Sequence, residues 1–217
     1  MIVVDIETSG LSPVKNGIWQ IGAINFNNPE EIFFDEGRID LDDNVSEGAL
    51  KVTGKTEQEL RDKNKQNQKS LLIEFFDWIK KQRKSDRRLN PICQNPQFDI
   101  GFLQTKAVKY ELEFPFAYRS FDLHSIAATR YFQINGKFLM KEGISGMDLP
   151  NVLGLCGLED ERIIVRGEEI IKEGKPHNAL EDAKLTTECF SRLVYGKSLF
   201  NEFSRHEIPE YLARSEK

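Results

Sequence analysis

The stretch MIVVDIETSG, residues 1–10, decides the reading of the fold. Its first four residues carry no charge, two carboxylates follow at Asp5 and Glu7, and a Thr-Ser-Gly turn closes it. On a strand, successive side chains alternate faces, so Asp5 and Glu7 point the same way as Val3. Ile2, Val4 and Ile6 occupy the opposite face. Two carboxylates side by side at a strand end raise each other's pKa unless a cation neutralises them. A hard divalent cation with oxygen ligands resolves that conflict.

Working outward, residues 1–6, 18–26 and 31–39 read as three strands of a meander. Residues 46–62 give a short helical turn, a break at Gly54 and the start of another helix. Residues 69–84 form an amphipathic helix with Leu72, Phe75, Phe76 and Ile79 on one face. A short strand from Pro91 to Gln94 then switches to a helix, with Asn95 as N-cap and Pro96 at the first helical position. YRSFDLHSIAATRYF (118–132) repeats the strand-to-helix pattern. Residues 148–157 read as a short helix and 178–195 as a long one. Strands first, then strand–helix alternation, predict a mixed α/β sheet with helices on its faces.

The chain of 217 residues, 39% apolar and 30% charged, has the balance of one globular domain. No apolar run approaches a membrane span, and the acid at Asp5 interrupts any signal-like segment. Cys93, Cys156 and Cys189 are odd in number and scattered, which favours reduced thiols in the cytoplasm over a disulfide framework or a zinc site. A net charge of −5 gives no electrostatic sign of nucleic acid, so a phosphate partner would need metal ions or a local basic patch. Residues 61–88 nonetheless carry ten Lys/Arg against four acids, read as a solvated face with a phosphate rest as the alternative.

Two further acids stand out. Asp99 falls in the first helical turn after Asn95 and shares a face with Phe102 and Leu103. In GKPHNALEDAKLTTECFSRL, Asn178 and Glu181 have capping-box spacing, leaving His177 on the loop before the helix. Periodicity sets Asp182 on the flank of the apolar face of Ala179, Ala183, Thr186, Phe190 and Leu193. It sets Glu181 with Lys184, Glu188 and Arg192 on the polar side.

Together these residues resemble the three motifs of the DEDDh 3′→5′ exonuclease family, which includes proofreading subunits of bacterial replicative polymerases. VVDIETSGL (3–11) is similar to the first motif, QNPQFDIGFL (94–103) to the second and HNALEDAKLT (177–186) to the third. ALKVTGKTEQEL (49–60) is similar to a segment often found between the first two. One departure is Gln94, where the family often has His or Gly. Residues 159–176 match no family feature. The resemblance implies a ribonuclease-H-like fold: a mixed five-stranded sheet, antiparallel meander then parallel strands, flanked by helices. The exonuclease domain is expected over 1–197, with a C-terminal helix or tail over 198–217.

The resemblance further implies that Asp5, Glu7, Asp99 and Asp182 ligate two Mg²⁺ or Mn²⁺ ions, with His177 as general base. Thr8, Gly10, Leu11 and Asn95 would meet the substrate. The expected activity is release of nucleoside 5′-monophosphates from nucleic-acid 3′ ends, single-stranded DNA slightly favoured. The alternatives are an RNA 3′-end trimming exoribonuclease and a non-catalytic nucleic-acid-binding domain. DNA or RNA 3′ ends are the expected partners, with a polymerase or another subunit beside them and no membrane. His124 and His206 are read as structural or surface residues.

Overall fold

In a computed structural model, which describes residues 1–213, the opening stretch forms β1 (Ile2–Thr8) at the centre of a five-stranded sheet. It pairs antiparallel with β2 (Ile18–Asn25), which pairs antiparallel with the edge strand β3 (Ile32–Glu36). The chain then runs through two short helices, α1 (Glu47–Thr53) and α2 (Glu57–Leu60), into α3 (Gln68–Lys81). The break between the first two is Gly54, which closes α1 at φ 64°, a left-handed conformation that costs glycine little. On the other side of β1, β4 (Pro91–Cys93) pairs in parallel, and β5 (Phe121–Asp122) pairs in parallel with β4. The order β3-β2-β1-β4-β5 is the mixed sheet predicted from the strand pattern.

The alternation in β1 divides the core. Ile2, Val4 and Ile6 pack against Leu72, Phe75, Phe76 and Ile79 of α3 and against Phe102 and Leu103 of α4 (Pro96–Lys109). Val3 faces the opposite layer. That layer is built by α5 (Leu123–Asn135), α6 (Leu149–Leu155) and α7 (Ala179–Tyr195), whose Leu123, Val152 and Phe190 are buried there. Two small antiparallel hairpins complete the described fold: β6 (Met140–Lys141) with β7 (Ile144–Ser145), and β8 (Ile164–Arg166) with β9 (Glu169–Lys172). Among the described residues, no helix is long and apolar enough to cross a membrane.

The polar side expected for α7 is corrected by the structure. Glu188 and Arg192 are fully buried, joined Nε to Oε1 at 2.7 Å. Glu188 accepts the backbone N–H of Leu199 (2.8 Å) and Phe200 (3.2 Å). Arg192 donates to the carbonyls of Cys156, Phe203 and His206, each at 3.0 Å. A periodic reading sends charges outward; here they satisfy backbone groups of Cys156 at the end of α6 and of the segment after α7, which lies back over it. That segment holds one 3₁₀ turn, Asn201–Phe203, and buries Leu212. Residues 214–217 of the expected C-terminal helix or tail lie outside the described residues.

Both predicted N-cap positions hold, but the bonds expected at them hold only in part. Asn95 stands at the N-cap of α4, but its side chain makes no capping bond and its φ is 66°. The Asn178 side chain does cap α7, accepting from Leu180 N and Glu181 N. Glu181 meanwhile pairs with Lys184 at 3.0 Å.

Candidate active site

Three local devices bring distant acids to the end of β1. The first concerns Asp99. The Ile2 N–H bonds the Asn90 carbonyl on the β4 side, so by alternation the Ile6 N–H faces the same side. Strand β4 stops at Cys93, leaving that N–H beyond the ladder, and Asp99 Oδ1 accepts it at 3.2 Å. The carboxylate thus replaces a missing strand partner.

The second device places α7. Gly22 lies directly across from Asp5 in the ladder, and a Cβ there would come within 2.2 Å of the Ala179 backbone carbon. Only a residue without a side chain lets the helix start touch the sheet. Gln20, opposite Glu7, accepts the Ala179 N–H at 2.7 Å and fixes the contact. One turn into the helix, Asp182 then lies beside the β1 acids.

The third device is the loop holding His177. Its backbone N–H bonds the Val52 carbonyl of α1 at 3.0 Å. Its ring Nδ1 lies 3.3 Å from Asp182 Oδ2, and its Nε2 lies 3.0 Å from the Ile163 carbonyl.

Asp5, Glu7, Asp99, His177 and Asp182 therefore all line one cleft of about 690 Å³. Ligand atoms of Glu7, His177 and Asp182 lie within 4.8 Å of one another. The electrostatics are those of crowded acids out of water. Burial, then Asp182, Asp99 and Glu7, push the Asp5 carboxyl well above its ordinary value. Burial, Asp182 and Asp99 do the same to Glu7. Asp99 is pushed up to about 8, first by burial and also by Asp182, against the hydrogen bonds it accepts. Asp182 is 3% exposed, and its Oδ1 has no hydrogen-bond partner. A buried carboxylate oxygen left unpaired among other acids fits a ligand of a divalent cation.

Thr8, Gly10, Leu11 and Asn95 also line the cleft. Thr8 Oγ1 donates to the Gly10 carbonyl at 2.7 Å, shaping the turn, and Leu11 stands 84% exposed at the lip. Gln94 joins them, its Nε2 bonded to the Met147 carbonyl at 2.8 Å and its Oε1 without a partner.

Sequence reasoning missed one residue. Arg162, buried at 7% exposure, lines the cleft and donates from Nη1 to Asp182 Oδ2 at 2.8 Å. It lies at the foot of the β8–β9 hairpin, inside the stretch 159–176 that matched nothing. No periodic or spacing signal there could have found it, because it ends a charged run, Glu159-Asp160-Glu161-Arg162, of ordinary composition.

A family model described as RNase_T, exonuclease, matches residues 2–133 of this chain. The chain belongs to that family. The matched span holds Asp5, Glu7 and Asp99; His177 and Asp182 lie beyond it. Over 104 residues the chain is 33% identical to the PolC-type DNA polymerase III of Halalkalibacterium halodurans. That stretch is 48% of this chain and 7% of the polymerase, so the chain spans a small fraction of that relative.

Among solved structures, the zinc-bound E. coli ExoI–ssDNA complex superposes with a TM-score of 0.65 at 18% identity, over 90% of this chain and 40% of that one. The nuclease domain of 3′hExo, described as a DEDDh family member bound to rAMP, gives 0.63 at 18% identity, over 96% and 95%. At these identities the likeness is one of fold. The expected exonuclease kinship is borne out by the family model, and the expected mixed five-stranded sheet flanked by helices by the fold.

Proposed function

We propose that this chain is a divalent-cation-dependent 3′→5′ exonuclease that hydrolyses the terminal phosphodiester of a nucleic-acid strand and releases nucleoside 5′-monophosphates. The observation that carries this reading is the convergence of Asp5, Glu7, Asp99 and Asp182 with His177 in one cleft, from three distant parts of the chain. Four carboxylates without a thiol are a donor set for hard ions such as Mg²⁺ or Mn²⁺. Asp5, Glu7 and Asp182 would hold one ion, and Asp5 with Asp99 a second. Such a pair, when bound, supplies charge stabilisation to the attacking and leaving oxygens of an in-line displacement.

His177 moves the proton. The Ile163 carbonyl only accepts, so Nε2 carries hydrogen in that contact. Once the ring leaves Ile163, Nε2 releases its hydrogen to solvent while Nδ1 carries one toward Asp182 Oδ2, and the Nε2 lone pair is then free for the attacking water. The Thr8–Leu11 turn and Asn95 meet the terminal nucleotide, with Leu11 offering an apolar surface to its base.

Single-stranded DNA is the favoured substrate, because an acidic protein grips an end at a charged cleft better than a long duplex along its surface. An RNA end is the second reading, supported by the nearly full-length likeness to a nuclease domain bound to rAMP. Identity with part of a polymerase supports action beside a polymerase subunit. Three buried, unpaired cysteines support a reducing compartment, the cytoplasm.

The test is incubation of 5′-labelled single-stranded DNA and RNA of one sequence with Mg²⁺, Mn²⁺ or EDTA. Stepwise shortening from the 3′ end with either metal, abolished by EDTA, is expected. Digestion of neither strand in any metal overturns the proposal.

A further inference from the structure

Arg162 holds Asp182 in a particular way. Its Nε and Nη2 donate to Asp160 Oδ1 and Oδ2 at 2.9 and 3.1 Å, a complete fork on one carboxylate. Only Nη1 is left over, and it reaches Asp182 Oδ2. The guanidinium would therefore lose one bond on leaving Asp182 and keep its fork on Asp160. Asp182 Oδ1 is meanwhile buried and unpaired, so the carboxylate is half satisfied. A divalent ion and a guanidinium on the same carboxylate repel each other, and the ion carries twice the charge.

Resting on the nuclease reading above, we infer that Arg162 competes with the divalent cation for Asp182: guanidinium and ion exclude one another on this carboxylate, and ion binding displaces the side chain. The position of Arg162 adds a consequence. It stands where the β8–β9 hairpin leaves the body of the fold, between the Ile163 N–H to Lys175 carbonyl bond (2.9 Å) and the Lys175 N–H to Glu161 carbonyl bond (2.9 Å). The next residue, Ile163, supplies the carbonyl that holds His177 Nε2. The hairpin continues along the cleft, which Val165, Gly167 and Glu168 line, and Lys51 of α1 donates to the Glu168 carbonyl at 2.9 Å. Arg162 and the carbonyl that restrains the imidazole thus share one short segment held by its backbone bonds to Lys175, and Arg162, acting through Asp182, is a positioning residue of the site.

The experiment measures Mn²⁺ affinity by calorimetry for the full chain and for Arg162→Met, which keeps the aliphatic stem and removes the charge. Arg166→Met serves as control, since it removes a charge from the same hairpin at an exposed position. Arg162→Met is expected to bind Mn²⁺ roughly tenfold tighter, within the usual range of coupling between two ligands. Arg166→Met should change affinity by less than about twofold, as expected for a screened surface charge. Equal or weaker binding by Arg162→Met overturns the inference, as does an equal gain in both variants.

A second measurement needs no variant. Arginine side-chain NMR of the wild-type protein should show the Arg162 Nη1 protons exchanging faster with water after saturation with Mg²⁺. Continued protection in the ion-loaded protein overturns the inference. Failure here is separable from failure of the nuclease reading. A chain that digests DNA and binds Mn²⁺, yet gains no affinity from Arg162→Met, rejects only the competition. A chain that binds no divalent ion rejects both.

Discussion

Each of the four acids breaks a local pattern, whereas His177 stands on an unremarkable loop and is legible only through the resemblance of its motif. Asp5 and Glu7 interrupt an apolar strand, Asp99 sits on the apolar side of α4, and Asp182 on the flank of the buried face of α7. Arg162 breaks nothing, because it ends the charged run EDER and its partner lies 20 residues on. In the proposed mechanism His177 has a role distinct from those of the acids. Replacing it with alanine removes proton transfer while leaving the carboxylate donors in place. We expect His177→Ala to lower turnover by about two to four orders of magnitude, the usual contribution of a general base. Calorimetry should show divalent-ion binding largely retained. Unchanged turnover would remove His177 from the mechanism.

Strands and long helices were legible at the scale of elements for a simple reason: each buries one face, so apolar spacing records its geometry. The β6–β7 and β8–β9 hairpins were not, since their strands are two to four residues long and largely exposed. The inward pair Glu188–Arg192 was misread because periodicity assigns charges to solvent unless a backbone partner is known. The docking of α7 was also hidden, although its decisive residue, Gly22, is plain in the sequence. Adding one methyl there forces the helix start away from β2, and Asp182 moves with it. Gly22→Ala should cost about 1–3 kcal/mol of stability, as overpacking commonly does. Its loss of exonuclease activity should exceed what the unfolded fraction explains. Urea denaturation alongside turnover under folding conditions measures both. A variant with wild-type turnover would show that Asp182 need not be held at this separation.

The whole molecule carries a net charge of −5, and its most crowded acids lie together in the cleft. Placing them there opposes folding unless protons or cations neutralise them, which makes stability depend on pH in a definite direction. In the unfolded chain Asp99 releases its proton near the ordinary 3.8; in the folded chain it holds it to about 8. Asp5 and Glu7 are raised likewise. Between those values the folded state binds more protons, so stability falls as pH rises. The contribution is fully present below about pH 4 and is lost by about pH 8. Asp160 and Glu36 are shifted the other way: burial opposes ionisation, but hydrogen bonds from Arg162 and Lys65 respectively win. Their effect is a loss on acidification below their ordinary values, outside this window. Thermal unfolding in EDTA should therefore show a melting temperature that declines from about pH 5 to about pH 8, and Mg²⁺ should flatten the decline by favouring the ionised acids. A melting temperature independent of pH in EDTA, or a decline untouched by Mg²⁺, would mean that the cleft acids are neutralised by something other than protons and divalent ions.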